Sequence, residues 1–448
     1  MSDDNRFENK GPGESFCILP FMHLSTRTDG AMQLCCHTNS SGKMGDSMPG
    51  CNRDSEGNIV YLKDKKAKDY WNTDFYKNVR KQMLNGEKPK ACTVCYKEEE
   101  NGYRSKREWE TQDWETRLGT GNVNDIIDSV KEDGSMPYNI KYIDMKLGNK
   151  CDLACVMCNP ADSSLWIPEY NKIEKDPEIS EKLKTTIVWK REEGAAYNWW
   201  KNNELYWNDI WDNLPNLSEI YLIGGEPTIN PEFKTFMKKC IETGHSKHIK
   251  LRFNTNGHSI KDKELYEMYH QFEQVLMHLS LDGIEDFHNY IRYPSRWRKL
   301  DYILWKHDEL AADTRIFVDI DTTVSMLNIE HIPDFIKWKV NHNRLYNINP
   351  INFRGLIGLH LLHHPSFLSA QVLPKHIKER VTQKFEDLKV WLLENKSEKA
   401  SKYPKLDAVV NFMNAEDKSD QLPMAIEYLE KMDSMRDTDF RKQLKLDI

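Results

Sequence analysis

Three cysteines fall within eight residues, Cys151-Asp152-Leu153-Ala154-Cys155-Val156-Met157-Cys158. Thiolates this close can hold three corners of a cubane iron–sulfur cluster and leave the fourth iron without a protein ligand. An iron kept open can bind and react with a small molecule, as catalytic metal sites do. The same thiols could belong to a zinc knuckle, which usually needs a fourth ligand nearby and commonly uses paired C-x2-C hooks. No cysteine or histidine follows Cys158 closely.

The segments after the triplet alternate between short apolar runs and longer amphipathic stretches, the pattern of parallel strands and crossover helices. Strands are expected at 142–147, 219–223, 248–254, 275–280, 315–323 and 347–353, with helices at segments such as 261–272 and 298–312. Polar and glycine residues collect at the C-terminal ends of these strands, where barrels of this type carry their active groups. Gly224-Gly225-Glu226-Pro227 directly follows the strand ending at Ile223. Its glycines allow close backbone approach to a ligand and its proline fixes the exit. Glu226 could orient an ammonium group, although alone the tetrapeptide could be an ordinary strand-to-helix turn. Alternation along a strand puts Asp319, Asp321 and Thr323 on one face, and His278, Ser280 and Asp282 on another. Polar groups facing a barrel interior are costly unless bonded or used, so they either line a polar cavity or satisfy one another. Asp319 and His278 are the candidates for a catalytic base, should a substrate radical have to lose a proton.

Taken together, the cysteine spacing and the Gly-Gly-Glu-Pro motif one strand later resemble the radical S-adenosylmethionine (radical SAM) enzymes. The resemblance implies an α/β fold, a partial (β/α)6 TIM-like barrel, with a [4Fe-4S] cluster at Cys151, Cys155 and Cys158. It implies that SAM chelates the open iron through its amino and carboxylate groups. One electron, from a donor such as flavodoxin or ferredoxin, then cleaves SAM to a 5′-deoxyadenosyl radical that abstracts hydrogen from substrate, the hard chemistry being the cofactors' own. Gly224, Gly225, Glu226 and Pro227 are implied to grip the SAM amino group. Asn254 and Asn256 at one strand end, and Ser280 and Asp282 at the next, match family segments near SAM. Arg292 resembles an arginine that pairs with the SAM carboxylate, a task suited to a guanidinium; its alternative is a solvated charge at a helix end. Met157 stands where many members carry an aromatic residue.

The front of the chain offers a second set of thiols. Cys17-x12-Gly30-x4-Cys35, followed by Cys92-Thr93-Val94-Cys95, resembles the twitch domain, the short form of the SPASM domain that holds an auxiliary iron–sulfur cluster. Asp29-Gly30 between alternating runs is a hairpin signal, and such a hairpin would bring Cys17 and Cys35 together at its open end. Cys36 could ligate in place of Cys35, and Cys51 looks spare. Four thiols at this spacing also permit a structural zinc site. In the family such modules commonly follow the barrel, whereas this one precedes it.

Ten cysteines in a chain whose first residues show no basic region followed by an apolar run read as metal ligands more than disulfides. A net charge of −7 argues against a nucleic-acid-coating surface. No run of 18 apolar residues suggests a membrane span, so the expected location is the cytoplasm. The expected domains are a twitch/SPASM-like region 1–115, a linker 116–137, the barrel 138–362 with a Trp-rich insert 163–215, and a helical region 363–448. The insert contains Trp166, Trp189, Trp199, Trp200, Trp207 and Trp211, suited either to a lid or peptide-binding surface or to helices packed on the barrel. The expected substrate is a peptide or protein side chain. Alternatives are a small sugar-like or aminocyclitol molecule and, from another class, a zinc-stabilised binding protein without redox chemistry.

Overall fold

Asp29-Gly30 makes the expected turn. Gly30 has φ +89°, and a Cβ there would overlap the Trp199 indole, so both backbone shape and space demand glycine. The flanking strands β1 (His23–Thr26) and β2 (Met32–Gln33) pair antiparallel, Ser25 opposite Gln33. This computed structural model describes residues 13–38, 49–63, 65–187, 197–258, 263–342, 344–348, 357–395 and 404–448. The chain divides into one unit of residues 1–100, 104–148 and 191–221 and another of residues 101–103, 149–190 and 222–448.

In the first unit the strand order is β2-β1-β3-β4, with β3 at Tyr142–Lys146 and β4 at Glu219–Ile223, a strand shared between the two units. β1 runs parallel to β3, His23 opposite Tyr142 and Ser25 opposite Asp144. The N-terminal segment therefore occupies an edge of the first strand expected of the barrel, which removes an exposed ladder of backbone groups. Residues 116–137, expected as a linker, lie within this unit and include the end of helix Lys106–Leu118 and helix Thr120–Asp128. Ser105 and Glu108 form a capping box at the start of the first helix. Its Trp114 is fully buried against Tyr142, with the Arg117 guanidinium 4.3 Å from the indole. Polar composition concealed a helix anchored by one large aromatic side chain.

The second unit carries β5 (Lys250–Thr255), β6 (Gln274–Ser280), β7 (Ile316–Val324) and β8 (Gly358–Leu361), neighbours in that order and parallel. Between them run helices Lys263–Tyr269, Trp297–Leu310 and Ile332–Asn341, after helix Pro231–Glu242. One strand face, with Phe253, Val275, Leu279 and Ile320, is fully buried. The fold class is α/β, as expected. Residues 349–353 of the strand expected at 347–353 lie outside the described residues. Asn347 and Ile348 donate their amides to Asp308 Oδ1, at 2.8 and 2.9 Å. The C-terminal region is helical, with helices Lys375–Asn395, Pro404–Ala415, Leu422–Arg436 and Phe440–Leu444.

Among the described residues, the tryptophans of the insert are buried or half-buried. Trp166 and Trp199 are buried, Trp207 and Trp211 stack with centroids 5.3 Å apart, and Trp189 lies outside the described residues. Cys240 is fully buried in its helix, as a small core residue would be.

Candidate active site

The cysteine triplet occupies an irregular loop after β3, and the second unit ties that loop down at its backbone. The Ala154 and Val156 amides donate to the Tyr293 and Ile291 carbonyls at 2.7 and 2.8 Å. Four consecutive carbonyls each accept from a side chain: Leu153 from Ser163 Oγ (2.6 Å), Ala154 from Arg436 Nη2 (2.8 Å), Cys155 from Trp166 Nε1 (2.8 Å) and Val156 from Tyr428 Oη (2.7 Å). The side chains of Cys151, Cys155 and Cys158 are left to a common purpose. They are partly exposed, and Cys158 feels the charge of both other thiols. Burial pushes Cys151 up to about 12 and Cys158 well above the ordinary thiol value, and raises Cys155 against the opposing charge of Arg292. Three clustered thiols on a fixed loop fit a cubane with one open iron; because burial favours the neutral thiol, ligation there must release protons.

The Gly-Gly-Glu-Pro turn lies against the same loop. Gly225 has φ +57°, and a Cβ there would collide with the Lys150 carbonyl, one residue before Cys151. The Glu226 amide donates to that carbonyl at 2.8 Å. The Glu226 side chain is buried and collects donors from the protein. Oε1 accepts from Thr228 N (3.1 Å), Thr228 Oγ1 (2.5 Å) and Thr255 Oγ1 (2.8 Å), and Oε2 from Asn256 N (2.7 Å). Burial raises its pKa while these donors hold it down. Asn256 continues the network, its Nδ2 donating to Asp152 Oδ1 at 2.6 Å. Glu226 thus joins three strand-end segments, a structural task that its motif alone does not reveal.

Asp282 lies just beyond β6, so it leaves the strand face expected for it beside His278 and Ser280. It is fully buried, its Oδ1 accepting from Thr323 N at 2.8 Å and its Oδ2 from Arg292 Nε at 2.7 Å. Arg292 is no solvated helix-end charge. Burial works against its ionised form, but Asp282 and the Cys155 thiol together raise its pKa. Among the described residues its terminal nitrogens have no hydrogen-bond partner, which leaves one edge of the guanidinium for an anionic group.

On the strand face, Asn254, His278 and Asp319 lie opposite one another across β5, β6 and β7, and Ser280 lies opposite Asp321. His278 Nδ1 stands 3.4 Å from Asp321 Oδ2 and 3.7 Å from Asp319 Oδ2. His360 Nε2, from β8, reaches the same Asp321 oxygen at 3.4 Å. Despite burial, His360 and His278 hold Asp321 well below the usual carboxylate range. The sequence reading missed His360; with β8 placed in register, its alternation with Thr323 would have signalled it. Arg436 and Tyr428 were missed as well; each reaches the loop through a backbone carbonyl, which leaves no motif.

In the first unit, Cys17, Cys35, Cys92 and Cys95 form one electrostatic group. Cys35 feels Cys95 and Cys17, and Cys92 feels Cys17 and Cys95. Burial pushes Cys17 up to about 12 and Cys95 to about 11. Cys36 turns instead to Asp144. Cys51 is buried beside Ala31. His37 and Glu98 lie within 4.8 Å of the Cys95 sulfur, with His37 Nε2 bonded to Glu98 Oε1 at 3.1 Å.

No curated protein matches the chain. Among solved structures, SuiB of Streptococcus suis bound to S-adenosylmethionine is 13% identical, with TM-score 0.37, covering 71% of this chain and 63% of that one. SuiB bound to the precursor peptide SuiA is 15% identical, with TM-score 0.29, covering 58% of this chain and 52% of that one. The chain spans less than two thirds of either SuiB chain. Residues 145–338, which hold the cysteine triplet, Glu226, Asp282 and Arg292, match the family described as the Radical SAM superfamily. That match spans less than half of the chain.

Proposed function

We propose that the protein is a radical SAM enzyme that removes a hydrogen atom from a peptide or protein side chain. The observation that carries this reading is the triplet loop, the carbonyls of residues 153–156 each held by a side chain and its three thiols in electrostatic contact with one another and with Glu226 and Arg292. When bound, the cluster and SAM supply reductive cleavage to the 5′-deoxyadenosyl radical. The chain's own contribution is binding and orientation. Cys151, Cys155 and Cys158 would hold the cluster. Gly225 keeps the turn close to the cysteine loop, and Glu226 fixes Asn256 and Thr255. Arg292, oriented by Asp282, would take the SAM carboxylate on its remaining edge. Asp319 and His278 would take a proton from a substrate radical, with Asp321 and His360 sharing the charge.

The half-buried aromatic surface of Trp200, Trp207 and Trp211 supports a peptide, since aromatic side chains with polar tips suit such contacts. The polar row at His278, Asp319 and Asp321 favours the second reading, a small polyhydroxylated or amino-bearing molecule. Cys17, Cys35, Cys92 and Cys95 would hold an auxiliary cluster; zinc at those thiols is the competing occupant. Anaerobic purification with iron, sulfide and zinc analysis, followed by assay of 5′-deoxyadenosine from SAM under reducing conditions, tests the whole reading. Zinc without sulfide, and no 5′-deoxyadenosine, would refute it.

A further inference from the structure

The cysteine loop receives two of its four carbonyl donors from one distant helix, Leu422–Arg436, whose Tyr428 and Arg436 cap Val156 and Ala154. Arg436 does more than donate one hydrogen bond. Its side chain is only 2% exposed, and its guanidinium lies 5.1 Å from the Trp166 ring and 4.6 Å from the Tyr293 ring. Nε and Nη2 bond the Glu169 carboxylate at 3.2 and 2.6 Å. Nη1 is buried and has no partner among the described residues. A fully buried cation with a spare donor is costly unless something nearby takes up its charge. Beyond the Glu169 carboxylate, its positive charge also acts on Cys155 of the loop it holds.

We infer that Arg436 is a positioning residue that sets the charge around the triplet cluster, with Glu169 as its counterweight. Reduction adds one electron to the cluster, so a cation held beside it favours the reduced state and an anion disfavours it. The inference rests on the reading that the triplet binds a cluster.

The test is an anaerobic redox titration of the whole protein with dithionite. It follows the part of the reduced-cluster electron paramagnetic resonance signal that changes on adding SAM, which separates this cluster from any other. R436Q removes the cation and leaves Glu169, so the reduction equilibrium should shift at least tenfold toward the oxidised state, about 59 mV for one electron. E169Q removes the anion and should shift it the opposite way. R436K keeps the charge and should stay near the parent. Loosening of the loop alone would move R436Q and E169Q in the same direction, and that result, or parent-like values in both, would overturn the inference. Should R436Q fail to fold, E169Q decides it, because an unshifted or downward midpoint contradicts the assigned sign. A parent protein without any SAM-responsive signal would instead defeat the reading of the triplet.

Discussion

Asp282 and Arg292 form a buried ion pair, Oδ2 to Nε at 2.7 Å, in which the second carboxylate oxygen is held by the Thr323 amide. The backbone of β7 therefore aims the carboxylate, and the carboxylate aims the guanidinium. Removing one partner of such a pair leaves an uncompensated buried charge, at a cost of about 3–5 kcal/mol. Asp282→Asn should lower the unfolding free energy by that order and weaken SAM binding more than tenfold, read by urea denaturation and equilibrium binding. Unchanged SAM affinity in a folded D282N protein would remove Arg292 from the site.

Glu226 accepts from two threonine hydroxyls and two backbone amides. Glu226→Ala leaves all of these donors without their acceptor and should weaken SAM binding by well over tenfold, since each buried unsatisfied donor costs about 1–3 kcal/mol. Glu226→Gln keeps one oxygen and replaces the other by a donor that faces Thr or Asn256 donors, so it should be only partly better. Equal SAM affinity in parent and Glu226→Ala would show that the turn orders itself.

The two sets of thiols should be separable. Replacing Cys151, Cys155 and Cys158 with Ala should abolish formation of 5′-deoxyadenosine while iron and sulfide near the content of one cluster remain. Formation at the parent rate would refute the triplet assignment. Loss of all iron, or zinc at the remaining thiols, would refute the auxiliary cluster.

Burial holds His307 down to about 4, from an ordinary value of 6.5, with its Nδ1 at 2.9 Å from the Ile303 carbonyl. Its folded pKa lies below its unfolded one, so the unfolded chain binds the extra proton. Stability is then intact above about pH 6.5 and falls as the pH drops toward 4, by roughly 3 kcal/mol for this group. Urea midpoints measured across that window should decline, and His307→Leu should flatten the decline. His331, also held down to about 4 by burial, contributes a second step of the same sign.

The strands of the second unit were legible because their alternation is regular. β5, β6 and β7 fall within two residues of the expected spans, whereas β8 at Gly358–Leu361 and the register that sets His278 opposite Asp319 have no signal in the alternation. The cysteine triplet was legible through spacing alone. Nothing in Gly-Gly-Glu-Pro announces that Thr255 and Asn256, nearly 30 residues later, also converge on the Glu226 carboxylate. The choice between Cys35 and Cys36 was equally closed to sequence, since nothing local shows that Asp144 lies beside Cys36. The parallel pairing of β1 with β3 joins segments more than a hundred residues apart and has no local signature.

The ties from Tyr428 and Arg436 also set an order in time. The triplet emerges from the ribosome long before the helix that caps its carbonyls, some 270 residues later. At ordinary elongation rates of about 5–20 residues per second, that interval is on the order of tens of seconds. Through that interval the Ala154 and Val156 carbonyls lack their final donors. The cysteine loop therefore reaches its finished form only after helix Leu422–Arg436 has been made, so a protein stopped short of that helix would carry all three cysteines without the frame that holds them.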